Sequence, residues 1–304
     1  MGGYDVKKRV AILLTLALAL LSAALGEAEQ TRTEGVDDPV SVNIDKVKTE
    51  NFAMDYARFG NGEAAFVILP GLSVQSVLGF ADAVAEQYKS FAEDYTVYLF
   101  DRRQDIPAVY TIADMARDTA AAMKALGLEN ACVYGASQGG MIAMVIAMEH
   151  PELVRKLALA STTARVTEER LPAIENWIAL ARAGQAEALY MAFGEAIYPH
   201  DVFEAARASI VEAAKTVTTG EMERFVILAE GIRGFDVTEG LKNIACPTLV
   251  VGSRDDRVFS EDAFAQLAAM IPGAELYMYD GYGHAVYDTA PDFVGRMLTF
   301  FRQS

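Results

Sequence analysis

An α/β architecture is expected of this chain, with a mostly parallel sheet, helices on both faces, and a helical block inserted between two of the later strands. Three observations carry the expectation. Short apolar runs alternate with helical periodicity from about residue 64 to 161, and again from 246 to 301. Several of the runs, Ala64–Leu69 among them, are apolar throughout, as in strands covered on both sides. Residues 163–239 break the alternation with helical stretches and no clear strand.

The elements follow in order. Ser41–Lys48 and Phe52–Arg58 roughly alternate and read as an antiparallel, half-exposed pair; Phe52, Met54 and Tyr56 share one face. Ala64–Leu69 is the first buried strand and ends at Pro70-Gly71-Leu72. A helix is expected over Ser76–Glu93, a strand over Tyr95–Phe100, and an amphipathic helix over Thr111–Leu126, stopped by Gly127. The run from Ala131 is a strand, Met141–Met148 a helix, and Lys156–Ser161 a strand. Inserted helices are expected over 167–182, 185–197, 202–215 and 220–232. A strand from Cys246 to Gly252, a helix over Glu261–Met270, a strand over Glu275–Tyr279 and a helix over Ala290–Phe301 complete the chain.

The 304 residues are 52% hydrophobic and carry a formal charge of -16. That is ample for one large core, and the acidity argues against a nucleic-acid partner, which needs basic patches. Residues 1–26 read as a cleaved signal peptide: Lys7-Lys8-Arg9, then the apolar run Val10–Leu25, then small residues at Ala24 and Gly26. Residues 27–40 read as a disordered leader. The expected localisation is therefore export, with an uncleaved membrane anchor as the alternative, and no stable membrane insertion after cleavage. Two cysteines, Cys132 and Cys246, are expected as buried free thiols. No Cys/His spacing resembles a metal site, and no cofactor is expected.

The chemistry centres on Gly135-Ala136-Ser137-Gln138-Gly139. A Gly-x-Ser-x-Gly between strand and helix is the context of a nucleophile elbow, with the serine at the apex of a strained turn. Gly135 and Gly139 stand where helix and strand backbones approach. The Gln138 amide lies at the helix start, where N–H groups are unpaired and the dipole is positive. It is one candidate oxyanion donor. The other is the backbone N–H of Leu72, in the loop after the first buried parallel strand.

A serine hydroxyl needs a base, and the base needs an acid to orient it. Of three histidines, His150 precedes Pro151 at a helix end, as a cap for carbonyls, and His200 lies among the inserted helices. His284 follows a strand, beside Gly283, and is the candidate base. The acid is sought after Val251-Gly252, where Asp255 is assigned and its neighbour Asp256 is the alternative.

Pro70-Gly71-Leu72, Gly135-Ala136-Ser137-Gln138-Gly139-Gly140, Gly252-Ser253-Arg254-Asp255 and Gly283-His284 together resemble the α/β-hydrolase superfamily, from about residue 41 onwards. The resemblance implies a mostly parallel eight-stranded sheet with one strand between those led by Cys132 and Cys246. It divides the chain into a core of 41–162 and 240–304 and a helical lid of 163–239. Two departures stand out. Many members have His-Gly where this chain has Pro70-Gly71, which removes a hydrogen bond that steadies the oxyanion loop. Asp101-Arg102-Arg103 replaces a glycine-rich turn; either arginine is placed to meet an acidic substrate group or to form a structural salt bridge.

The expected function is a serine hydrolase with an acyl-enzyme intermediate, acting on small to medium, partly hydrophobic carboxylic esters. A lactone or carbon–carbon bond hydrolase with the same triad is the alternative. A hydrolase-shaped binding protein is a third reading, opposed by the presence of all three triad residue types. Ser137 stands where a haloalkane dehalogenase needs aspartate.

Overall fold

The computed structural model describes residues 40–303. The expected signal peptide and nearly all of the leader lie outside these residues. Eight strands form one sheet: β1 Asn43–Lys48, β2 Ala53–Phe59, β3 Ala64–Leu69, β4 Tyr95–Phe100, β5 Ala131–Ala136, β6 Val154–Ala160, β7 Thr248–Ser253 and β8 Glu275–Tyr279. Their order is β1-β2-β4-β3-β5-β6-β7-β8. β2 is antiparallel to both neighbours, and every pairing from β4 to β8 is parallel.

Helices cover both faces. They are α1 Ala81–Gln87, α2 Ile112–Ala125, α3 Gln138–Glu149, α4 Leu171–Arg182, α5 Ala186–Ile197, α6 His200–Ala214, α7 Thr219–Glu230, α8 Glu261–Met270, α9 Val286–Thr289 and α10 Phe293–Arg302. One core packs α2, α3 and α8 against the sheet; a second packs α1 and α10 on the opposite face. α3 is buried all round from Gln138 to Ala147, which is why its sequence is apolar without a polar face. Thr111 and Asp114 form a reciprocal capping box on α2, and Thr218 and Glu221 do the same on α7. Gly127 has φ +69°, the left-handed stop expected after α2.

Two expected helices are broken. Ser76–Glu93 divides into a 3-10 turn at Val77–Phe80, then α1, then a second 3-10 turn at Lys89–Phe91. The second turn brings Tyr88 and Phe91, three apart, onto Phe66, with the Phe66 and Phe91 rings stacked at 4.4 Å. A 3-10 turn aligns residues three apart more closely than an α-helix does. The helix expected from Ala290 begins at Phe293, because Pro291 holds Ala290 in an extended conformation.

α4 to α7 all lie between β6 and β7 in the chain. The two ends of this insertion are clasped by an antiparallel bridge at Arg165 and Asp236, a pairing too short for sequence periodicity to reveal. The thiols are both free; β6 separates their strands, so no bridge is possible between them. Cys132 is buried as expected, whereas Cys246 is only half-buried, because it lies in the approach to β7 rather than within it.

Candidate active site

Ser137 lies between β5 and α3 with φ +51° and ψ -119°. A non-glycine residue in such a region costs about 1–3 kcal/mol and is held by its surroundings. The surroundings are close backbones. A methyl group on Gly135 would collide with the carbonyl of Gly139, and one on Gly139 with the carbonyl of Leu69. The Ser137 amide donates to Ala160 O at 2.9 Å, and Thr162 Oγ1 donates to Ser137 O at 2.8 Å.

The loop after β8 brings His284 to this serine across 147 residues of chain. Nε2 lies 3.0 Å from Ser137 Oγ, and the histidine is 3% exposed. Its Nδ1 lies 2.8 Å from Asp256 Oδ2. The carboxylate at the imidazole therefore belongs to Asp256 and not to Asp255. Asp255 is engaged elsewhere: Oδ1 accepts from Ser253 Oγ at 2.7 Å and Gly281 N at 2.8 Å, and Oδ2 from Gly283 N at 3.1 Å. Burial works to raise the Asp255 pKa, but these hydrogen bonds outweigh it and hold the carboxyl below its ordinary range. A turn closed by Asp256 N to Ser253 O, 3.2 Å, sends the two neighbouring side chains in different directions.

Asp256 is itself held. Its Oδ1 accepts from Val258 N at 2.7 Å and Phe259 N at 2.9 Å, and its side chain has no solvent exposure. A carboxylate facing Nδ1 favours the tautomer with the proton there, which leaves Nε2 to accept from the serine hydroxyl. The Phe259 ring meets His284 edge-on at 5.5 Å and shields it from water.

The two candidate oxyanion donors sit beside the serine. Gln138 is the first residue of α3, so its N–H has no partner within the helix. The loop carrying Leu72 passes against the nucleophile: a Cβ on Gly71 would lie 3.3 Å from Ser137 Cβ. Arg102, 4% exposed, links the two segments, with Nη2 donating to Pro70 O at 2.8 Å and to Gln138 Oε1 at 3.2 Å. Gln138 Nε2 donates onward to Leu228 O of α7 at 2.7 Å. Burial lowers the Arg102 pKa to about 10, which leaves it charged at neutral pH. Arg103 points away and pairs with Asp118 at 3.4 Å.

The other histidines are elsewhere. His150 faces Lys124 and Glu152 rather than capping carbonyls, and His200 begins α6, exposed. Sequence reasoning ranked Asp256 second, gave Arg102 no role at the loop, and did not single out Asp288. That aspartate lies four residues beyond His284 in an otherwise apolar and aromatic segment, and that isolation was the signal available. A cavity of about 250 Å³ opens beside the serine, lined by Gly71, Leu72, Ala136, Tyr190, Tyr198 and Asp288 among others.

Three comparisons bear on this arrangement. A protein from a Caulobacter species, provisionally named carbamate hydrolase RutD, is 29% identical over 227 residues, covering 71% of this chain and 84% of its own. Among solved structures, the enol-lactonase from Burkholderia xenovorans superposes with a TM-score of 0.74 at 20% identity, covering 85% of this chain and 100% of its own. A thermophilic esterase from Thermogutta terrifontis gives 0.70 at 20% identity, covering 85% and 97%. The sequence profile of the alpha/beta hydrolase family matches residues 66–296. That match runs from within β3 to within α10 and takes in nearly all of the parallel part of the sheet, and on it the chain belongs to the alpha/beta hydrolase family.

Proposed function

We propose that the protein is a serine hydrolase of carboxylic esters with small to medium, partly hydrophobic acyl groups, and that Ser137, His284 and Asp256 carry the chemistry. The observation that supports it most is one imidazole within hydrogen-bond reach of both the strained serine, at 3.0 Å, and a buried carboxylate, at 2.8 Å. Ser137 Oγ attacks the acyl carbon while His284 Nε2 takes its proton. The Leu72 and Gln138 amides receive the negative charge that develops on the carbonyl oxygen, each worth about 3 kcal/mol in the transition state. His284 then protonates the leaving alkoxide. Water, deprotonated by the same nitrogen, frees the acyl group and restores the serine.

The helices α4–α7 serve as the lid. Tyr190 and Phe193 of α5 and Ile210 of α6 line the cavity beside the serine, and their mostly apolar surface suits a hydrocarbon acyl group. A carbamate is the second reading, favoured by the name of the relative from Caulobacter. Its carbonyl would meet the same three side chains. Residues 1–26 are read as a cleaved export signal, checked by N-terminal sequencing of secreted protein; an intact Met1 would overturn cleavage.

The test is labelling by a fluorophosphonate together with turnover of short p-nitrophenyl esters, lactones, vinylogous diketones and simple carbamates. Wild type is expected to label and to hydrolyse the esters, and Ser137→Ala to do neither. Absence of labelling in both proteins would falsify the serine-hydrolase reading.

A further inference from the structure

Asp288, a carboxylate that the proposed ester chemistry does not use, lines the same cavity as Gly71, Leu72 and Ala136, the neighbours of Ser137. Tyr88, Tyr134, Tyr198 and Tyr287 line the same cavity, and among the described residues no Lys, Arg or His does. Asp288 belongs to the short helix α9, directly after the loop that carries His284. Its side-chain hydrogen-bond partner is the Tyr198 hydroxyl, from the end of the inserted α5. The Tyr88 and Tyr134 rings lie 6.1 Å apart. Tyr287 precedes Asp288 in α9 and lines the cavity with it.

Asp288 is half-buried; a carboxylate in a mostly apolar cavity is poorly stabilised, and a positive group entering the cavity relieves the cost. Phenol rings add to the attraction: their faces carry negative charge density, and their oxygens accept hydrogen bonds. The rest of the lining is apolar, including Val77, Phe80 and Val84, which suits a hydrocarbon tail. The protein's net charge of -16 also favours the approach of cations over anions.

We infer that the Asp288 end of the cavity binds a small alkylammonium group, so that the preferred substrates carry a protonated amine on a short hydrocarbon chain. The substrate clause rests on the ester-hydrolase reading; the binding site does not. Burial pushes the Asp288 carboxyl up to about 7, as expected of a carboxylate still lacking its cation. The competing role for this group is a latch, in which a neutral Asp288 only ties Tyr198 to the core.

Titration calorimetry separates the two without any turnover. The probes are n-pentylammonium chloride and its uncharged isostere 1-pentanol, matched in chain length, on full-length wild type and Asp288→Asn. The site predicts that wild type binds the ammonium at least about ten-fold more tightly than the alcohol, and that Asp288→Asn loses most of that preference. Equal affinities in wild type, no heat from the ammonium at about millimolar concentration, or a preference that survives Asp288→Asn each overturn it. Should Asp288→Asn fail to fold, the wild-type comparison stands alone. Tyr198→Phe then serves as the second variant: it deletes the latch and keeps the carboxylate, so the ammonium preference is expected to remain, and its loss counts against the site. If fluorophosphonate labelling fails while the calorimetric preference holds, the enzyme reading falls and the cation site stands; labelling without preference gives the reverse.

Discussion

A single nitrogen of Arg102 donates to the Pro70 carbonyl at 2.8 Å and lies 3.2 Å from Gln138 Oε1. It thereby joins the loop after β3 to the first residue of α3, the two segments that carry the proposed oxyanion donors. Pro70 offers no side-chain donor or acceptor to this loop, and the loop is bonded instead from the end of β4. Asp101 anchors the neighbouring backbone, accepting from Ser76 Oγ at 2.5 Å and from Arg224 of α7 at 3.0 Å.

Arg102 is accordingly a positioning residue. Arg102→Met is expected to lower kcat on short esters by about ten-fold or more with KM little changed, since the amides matter most once charge develops. Arg102→Lys keeps the charge, and since one nitrogen makes both bonds it is expected to restore part of kcat. A rise in KM with kcat intact would show that Arg102 contacts substrate instead.

The two adjacent aspartates are expected to behave differently. Asp256→Asn should cost about 10⁴-fold in kcat, because the wrong imidazole tautomer then faces Ser137. Asp255→Asn keeps one acceptor oxygen and leaves one of the Gly281 and Gly283 amides without its partner, so it should lower thermal stability and reduce kcat far less. Steady-state kinetics and melting curves on both variants check this. The opposite ranking of kcat would return the acid's role to Asp255.

Backbone strain at Ser137 has a measurable sign. With φ at +51° and ψ at -119°, Ser137→Gly should raise stability by about 1 kcal/mol, part of the relieved strain being offset by greater chain entropy on unfolding. Ser137→Ala keeps a Cβ and should not stabilise in the same way. Chemical denaturation of both inactive variants separates conformational strain from chemistry; equal stabilities would place no strain there.

Asp288 makes stability depend on pH. Its folded pKa of about 7 lies above the unfolded value of 3.8, so the unfolded state ionises first as pH rises. The contribution of Asp288 to stability is expected to be full below about pH 4, to fall between about 4 and 7, and to be lost above. Tyr198, Tyr134 and Tyr287 face the same region, and burial pushes each phenol well above neutrality, so none titrates in this window. Asp288→Asn should gain on wild type by about 2–4 kcal/mol between pH 4 and 8, read from denaturation midpoints in the absence of amines. A constant difference across that range would contradict the raised value.

Local information carried the strands, the elbow and the identity of His284 as a candidate. Apolar runs, Gly-x-Ser-x-Gly and a histidine after a strand are written in consecutive residues, and burial on both faces of a parallel sheet imposes them directly. Other features depended on groups far apart in the chain. Asp255 and Asp256 are alike in composition and neighbours, and only the turn at Ser253 decided which carboxylate met the imidazole. Arg102 became a clamp because β4 lies beside β3, which lies beside β5, so that residues 70, 102 and 138 end on one edge of the sheet. Asp288 shares a cavity wall with Tyr198 only because the inserted segment brings the end of α5 there. Periodicity reports which face of an element is buried. The direction of one side chain at a loop, and the partner it meets there, are set by packing between distant segments.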